Sequence, residues 1–335
     1  MQFSSLLKYI DYVKVYNLNS KKIFFNFVST NSNSIKKNSI LVINKKKKFK
    51  KKYIFNAIDK GVVGLITNYY YRDIKLPQIL VKDIDISLKK ILFKLKENSP
   101  KNTVGITGTN GKTTVVWYIS KLLYHSNRNV KSYGTLGYYK DLEKKESSLL
   151  TTPEYEVLHQ NAYSKLENKF DFIFEVSSHS IVKKRIKDFK INIAAITNIS
   201  HDHLDFHRNF ASYRSAKFKL FTNYLDKNGI AIINDSIKGI SSLKKQLIKK
   251  NVKVISYGLL KSNVYFKQNK RKSFLKVFDK NYKVKLKDYN LYDINNLLCS
   301  ISCCVAMGIK INKILKAIPL LDRPIGRMQE AGILS

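Results

Sequence analysis

The run Val104-Gly105-Ile106-Thr107-Gly108-Thr109-Asn110-Gly111-Lys112-Thr113-Thr114 puts an apolar strand, a glycine-bearing loop and the start of a helix in direct succession. Glycines in such a loop let backbone N–H groups close around phosphate oxygens, and the helix start adds the positive end of its dipole. Lys112 supplies a point charge for terminal phosphates, and Thr113 a hydroxyl for Mg2+. The spacing, Gly108-x-x-Gly111-Lys112-Thr113, is shorter than the general G-x-x-x-x-G-K-S/T pattern, because position 106 is Ile. The segment predicts a nucleotide-phosphate loop.

A chain of 335 residues is long enough for two domains and part of a third, and 44% hydrophobic residues allow a sizeable core. Its longest apolar stretches, such as 191–196, are strand-sized, well below the roughly 18 residues of a membrane span. Residues 1–8 lack a basic n-region, an apolar core and a small-residue cleavage site, so they make a poor signal peptide. The expectation is a cytoplasmic protein with no membrane partner. Cys299, Cys303 and Cys304 fall inside an apolar helical pattern and read as core packing, not as a disulfide frame or zinc site. A formal charge of +38 would ordinarily raise nucleic acid as a partner. The lysines, however, are scattered over the whole length among many Asn, Ile and Tyr, as an A/T-rich genome would impose on tolerant surface positions, so no nucleic-acid partner is expected. The run Lys45-Lys46-Lys47-Lys48-Phe49-Lys50-Lys51-Lys52 reads as a solvated loop ahead of a localisation signal or polyanion patch.

Residues 1–98 alternate β-type runs (22–28, 39–43, 62–67, 78–81) with helical stretches near 53–60 and 86–97, a small α/β domain. Glu97-Asn98-Ser99-Pro100 reads as a linker. Residues 101–325 then carry the strand, the phosphate loop, a helix over about 112–126, and buried strands at 170–176, 191–198, 229–234 and 252–257. Strands buried on both faces and separated by helices predict an α/β fold with a doubly wound, mostly parallel sheet. A hairpin is expected over 263–288 and a helix over about 293–307.

Further clusters follow the loop. Glu175, closing a buried strand in Phe174-Glu175-Val176-Ser177-Ser178-His179, is suited to Mg2+. The segment Asn198-Ile199-Ser200-His201-Asp202-His203-Leu204-Asp205-Phe206-His207 holds three of the six histidines. Its His-x-His spacing also suits a zinc or iron centre, but no cysteine or second His cluster lies nearby to complete one. One His supporting Mg2+ beside phosphate is the preferred reading. In the helix expected over about 209–224, Tyr213, Lys217, Leu220, Phe221 and Tyr224 share one face at spacings of three and four. A lysine on an apolar stripe must be paired, snorkel, or become neutral, and a neutral amine can react with CO2 to give a carbamate.

Together these segments resemble the Mur ligases, ATP-dependent amide-bond-forming enzymes of peptidoglycan precursor synthesis, and among them the MurE type, which adds the third residue of the stem peptide. Thr151-Thr152-Pro153, Glu175-Val176-Ser177-Ser178-His179 and Asp202-His203-Leu204-Asp205-Phe206-His207 followed by Ala216-Lys217 carry the resemblance, which spans roughly residues 20–330. It implies that Gly108, Thr109, Asn110, Gly111, Lys112, Thr113 and Thr114 bind ATP, with Asn296 near the adenine. It implies Mg2+ held by Thr113, Glu175, His203 and a carbamylated Lys217, with Lys112, Lys217 and His203 catalytic. Ser32, Thr151, Thr152, Ser177, Lys183 and Arg185 would hold the UDP-MurNAc-dipeptide. The implied reaction activates the D-Glu side-chain carboxylate as an acyl phosphate, which the amine of the incoming amino acid attacks, in a monomeric enzyme.

The sequence departs from the family pattern in places. Lys183 stands where the family usually has Gln, Asn31-Ser32-Asn33 replaces an Asp-Ser-Arg signature, and the lysine run replaces a Gly-rich segment. No Asp-Asn-Pro-Arg motif, the usual marker for diaminopimelate, is present. The resemblance further implies a C-terminal domain that closes over ATP, of which residues 326–335 would be only the start. The alternatives are a sibling ligase with another acyl substrate, or a non-catalytic nucleotide- or UDP-sugar-binding remnant.

Overall fold

The computed structural model describes residues 1–19, 22–45, 50–164, 169–200, 207, 209–269, 272–284 and 290–324. The chain divides into two compact units, Met1–Ser99 with Glu154–Lys165, and Pro100–Pro153 with Leu166–Ser335.

In the first unit, β1 (Tyr12–Tyr16), β2 (Phe27–Ser29), β3 (Ser39–Ile43), β4 (Val62–Thr67) and β5 (Gln78–Val81) form a sheet in the order β1-β5-β4-β3-β2, with helices α1 (Lys52–Asp59) and α2 (Ile84–Leu95). Strands β2 to β5 run parallel and β1 closes the edge antiparallel to β5. Every residue of β3 is buried. Ile40 and Val42 pack with Leu88, Ile91 and Leu92 of α2 on one face, while Leu41 and Ile43 pack with Ile54 and Ala57 of α1 on the other. Helix α2 begins where Asp83 accepts the Ile86 amide at 2.9 Å, an N-cap that sets its start two residues before the predicted 86. The strand predicted over 22–28 shortens to Phe27–Ser29; the aromatic run before it places Phe25 in the core and leaves Phe24 exposed, joined only by an isolated bridge to Gln2.

The first unit also contains the helix Tyr155–Tyr163, which arrives from beyond the phosphate loop. It covers the open side of β2. The Gln160 amide accepts from the Val28 N–H at 2.8 Å and donates to the Val28 carbonyl at 2.7 Å, and Glu156 Oε1 accepts from both the N–H and the hydroxyl of Thr30. These side chains satisfy backbone groups that an edge strand would otherwise leave unpaired.

The second unit runs β6 (Asn102–Thr107), α3 (Lys112–Tyr124), β7 (Asn129–Gly134), β8 (Gly137–Lys140) and β9 (Glu143–Glu146); the Tyr155–Tyr163 helix of the first unit, α4, comes next in the chain. The second unit continues with β10 (Phe170–Glu175), α5 (Ser178–Val182), β11 (Ile191–Ile196), α6 (Phe210–Lys219), β12 (Leu225–Asn234), α7 (Ile240–Lys249) and β13 (Lys253–Tyr257). Strands β14 (Val264–Asn269), β15 (Lys272–Val277) and β16 (Lys280–Lys283) and helices α8 (Leu291–Ala306) and α9 (Ile311–Ala317) complete it. Among the described residues the sheet order is β16-β15-β14-β13-β12-β11-β6-β10-β7-β8-β9. The seven strands from β14 to β7 are parallel, and each end of the sheet finishes in an antiparallel meander. Helices lie on both faces. Val104 and Ile106 of β6 point into a core shared with Val115, Ile119 and Leu122 of α3 and the three buried cysteines of α8. Gly105 faces the other way, towards Leu220 just after α6. The cysteines are free, and burial raises the Cys303 and Cys304 thiols above their ordinary range, as expected of packing residues. The helix predicted over 209–224 is α-helical only to Lys219 and then widens into one π turn, Leu220–Tyr224. No helix among the described residues is long and apolar enough to cross a membrane.

Candidate functional site

Strand β6 lies where the sheet reverses its winding, with β10 and β7 on one side and β11 to β13 on the other. Open α/β sheets bind ligands at such a point, beyond the carboxyl ends of the strands. Register brings those ends level: Glu175 of β10 pairs with Ile106, and Ile196 of β11 with Thr107.

The loop between β6 and α3 is shaped by what presses on it. Gly108 has φ +147°, and a Cβ there would stand 1.8 Å from Thr197 Oγ1; Gly111 has φ +83°, and a Cβ there would stand 2.3 Å from Asn296 Oδ1. Residues following β11 hold the loop by its backbone. The Thr109 N–H donates to the Asn198 carbonyl and the Asn110 N–H to Asn198 Oδ1, both at 2.9 Å, while the Asn110 carbonyl accepts from Thr197 Oγ1 at 2.6 Å and Asn198 Nδ2 at 3.0 Å. Asn234 Nδ2 in turn donates to the Thr197 carbonyl at 2.6 Å.

Two lysine amino groups converge on this loop. Lys112 Nζ donates to the carbonyls of Gly108 (2.9 Å) and Thr109 (2.7 Å), and Lys217 Nζ donates to the same Gly108 carbonyl at 2.7 Å. Lys217 is 2% exposed, so its head does not snorkel; it lies 4.3 Å from the centroid of Tyr213, whose hydroxyl is 3.0 Å from Thr109 Oγ1. Together with the start of α3, Lys112 concentrates positive charge beside the loop.

Opposite them stands Glu175, 1% exposed. Its Oε1 accepts the Thr135 N–H at 2.7 Å, and its Oε2 accepts the hydroxyls of Thr113 (3.2 Å) and Thr135 (3.3 Å). Burial raises its pKa above the usual carboxylate value; the Thr135 amide, the Lys112 charge and the two hydroxyls oppose that rise. Gly134 makes room for the carboxylate, since a Cβ there would lie 2.2 Å from Glu175 Oε1. This Gly134-Thr135 cradle lies outside the residues expected from the sequence. Its signal was present in Tyr133-Gly134-Thr135-Leu136-Gly137, two glycines three apart where a strand turns, with Gly137 at φ +115°.

The residues after β10 meet Thr151 and Thr152 here. The Thr152 hydroxyl donates to the Glu175 carbonyl at 2.8 Å and accepts the Ser177 N–H at 3.1 Å, and buried Arg185 donates from Nη1 to the Thr152 carbonyl at 3.1 Å. Ser177 Oγ caps α5 by accepting the Ser180 N–H. Thr151 Oγ1 lies 3.4 Å from Thr135 Oγ1. Lys183 is exposed at the end of α5, and Ser32 belongs to the first unit, where it is buried in a short turn and its carbonyl accepts Lys60 Nζ at 3.2 Å. His203 and the rest of 201–206 lie outside the described residues, as do 325–335. Of the three histidines in that cluster, His207 is described: buried, with Nε2 3.0 Å from Ser178 Oγ and its ring 5.2 Å from that of Tyr213.

The donor set fits Mg2+, which binds through one or two protein oxygens and keeps several waters. Thr113 Oγ1 and Glu175 Oε2, 3.2 Å apart, supply such oxygens. Among the described residues no cluster of three or more His, Cys, Asp or Glu side chains forms a closed metal cage.

The family described as Mur ligase middle domain matches residues 106–304. A UDP-N-acetylmuramoyl-L-alanyl-D-glutamate--2,6-diaminopimelate ligase of Rickettsia bellii is 32% identical over 313 residues, covering 90% of this chain and 65% of the relative. One of the same description from Wigglesworthia glossinidia brevipalpis is 30% identical over 355 residues, 95% of this chain and 70% of the relative. The chain thus spans about two thirds of the length of these curated relatives, 65% of the first. A solved UDP-N-acetylmuramoyl-L-alanyl-D-glutamate--2,6-diaminopimelate ligase superposes with a TM-score of 0.71 at 20% identity, over 98% of this chain and 68% of the other. A MurF ligase from Thermotoga maritima in complex with ADP gives 0.63 at 18%, over 88% of this chain and 66% of the other. At these identities the structures establish likeness of fold.

Proposed function

This chain belongs to the Mur ligase family, and from that membership we propose that it serves an ATP-dependent ligase adding the third stem-peptide residue, meso-diaminopimelate or L-lysine, to UDP-MurNAc-L-Ala-D-Glu. The observation that carries this reading is the convergence, at the winding reversal of the sheet, of Lys112 and Lys217 on the Gly108 carbonyl, with the Thr113–Glu175 oxygen pair in the same site.

ATP, when bound with Mg2+ to neutralise its phosphates, would supply the phosphoryl group that activates the D-Glu side-chain carboxylate, with ADP as the leaving group. The chain's own residues then act mainly through charge and position. The Gly108 to Thr114 loop, through N–H groups other than those of Thr109 and Asn110 that Asn198 engages, and the Lys112 ammonium hold the phosphates. Thr113 and Glu175 hold the metal, with His203 as a further ligand. Lys217 would carry a carbamate, formed when its neutral amine adds to CO2 and gives up a proton, and would so supply an anionic oxygen to the metal. Thr151, Thr152, Ser177 and Arg185, with Lys183 at their margin, orient the acyl substrate. Ser32 in the first unit holds the UDP end, and Asn296 approaches the adenine. The same reading makes the protein a cytoplasmic monomer whose partners are the UDP-MurNAc-dipeptide and an amino acid.

The test is phosphate release from ATP by the purified 335-residue protein, with UDP-MurNAc-L-Ala-D-Glu and with or without diaminopimelate or lysine. Release that requires both the dipeptide and an amine supports the ligase. Binding of ATP and the UDP-substrate without release restricts this chain to substrate binding. Failure to bind ATP overturns the reading.

A further inference from the structure

We infer that Thr135 is a positioning residue which sets the direction of the Glu175 carboxylate and ties it to Thr151; the inference rests on the nucleotide-binding reading proposed above. Three contacts carry it. The Thr135 N–H donates to Glu175 Oε1 at 2.7 Å, and its hydroxyl lies 3.3 Å from Glu175 Oε2 and 3.4 Å from Thr151 Oγ1. A carboxylate gripped through both oxygens by one residue cannot rotate about its terminal bond without losing a contact to that residue. The Thr113 hydroxyl on Oε2 adds a third hold and fixes which oxygen faces the start of α3.

The hydroxyl also has a choice. It carries one proton and a carboxylate has none to return, so donating to Glu175 leaves the Thr135 oxygen free to accept from Thr151. Donating to Thr151 instead leaves Oε2 with the Thr113 hydroxyl alone. Thr135 therefore connects the metal-binding oxygen to the threonine pair through one proton, and it is itself exposed where a ligand in the site can reach it. Gly134 before it is the condition for the arrangement, since any Cβ there would enter the carboxylate.

The test compares the full chain with Thr135→Val, which keeps the amide, shape and β-branching, and Thr135→Ser, which keeps the hydroxyl. Binding of Mn2+·ATP is measured by calorimetry and by the Mn2+ paramagnetic resonance signal, and binding of ATP in excess chelator by calorimetry. Thr135→Val is expected to weaken Mn2+·ATP by about tenfold, the effect of losing one hydrogen bond to a charged group, and to leave metal-free ATP unchanged. Thr135→Ser is expected to match the parent chain. Mn2+·ATP binding unaltered in Thr135→Val, or both forms of ATP weakened equally, overturns the inference while the nucleotide reading stands. A parent chain that binds neither form takes down that reading and this inference together.

Discussion

At Gly108 an added methyl would strain the loop and force Thr197 to shift, because the carbon would lie 1.8 Å from Thr197 Oγ1 at a φ of +147°. Gly108→Ala is expected to cost about 2 kcal/mol, from backbone strain and displacement of Thr197 together, and to remove ATP binding; urea unfolding and calorimetry on one preparation measure both. Lys112→Ala is expected to abolish ATP binding and leave the fold intact, and unchanged affinity would refute its role. Lys217→Ala should lose activity that a small carboxylate in the buffer partly restores; failure of any carboxylate to restore turnover would remove the carbamate from the mechanism. The places of Lys112 and Thr113 at the start of α3 were legible because they follow from a local run of backbone. Lys217 was legible as an anomaly, a charge on an apolar stripe, whose burial the structure bears out. Thr135 was not, because its meaning lies in a carboxylate 40 residues further along the chain.

Elements show a similar division. Strands β6, β10 and β11 stood out as apolar runs because both their faces are covered, and α3 followed from the loop. Strands β1, β8 and β9 did not. Tyr12–Tyr16 is mostly exposed at a sheet edge, and Glu143–Glu146 is built of charged residues, so pairing with a neighbour, not propensity, makes each a strand. Helix α4 adds a titratable group to a sheet edge. Burial raises the Glu156 pKa above the ordinary 4.5, outweighing its hydrogen bonds from Thr30. The folded state thus keeps this proton to higher pH than the unfolded chain does. Its contribution to stability is full below 4.5 and is lost as pH rises through the folded pKa. Glu156→Gln keeps an acceptor for Thr30 and has no proton to lose, so its stability relative to the parent should grow as pH rises from 4 to 8, read from urea midpoints. A constant difference would show that Glu156 does not titrate in that range. Glu156→Ala, which leaves Thr30 without its acceptor, should cost about 2 kcal/mol at pH 4 and less as pH rises, because only the parent loses stability with that titration.

For the whole molecule, the two compact units do not follow the order of the chain. The first is finished by a helix that appears in sequence only after β6, α3 and the meander from β7 to β9. Residues 1–99 expressed alone should therefore exchange the amides of Val28 and Thr30 rapidly, since their acceptors are Gln160 and Glu156, and a peptide of 154–165 should slow that exchange. Protection equal with and without the peptide would show that β2 needs no cover. The linker at 97–100 was readable from its proline and small polar residues; the return of 154–165 was not, because nothing in the helix's own pattern says which sheet it will cover. The consequence reaches to how such genes can be recombined. A chimera that exchanges the first unit between relatives with one junction carries the wrong helix for its sheet, and keeping the Gln160 and Val28 partners together requires crossings at 99/100, 153/154 and 165/166.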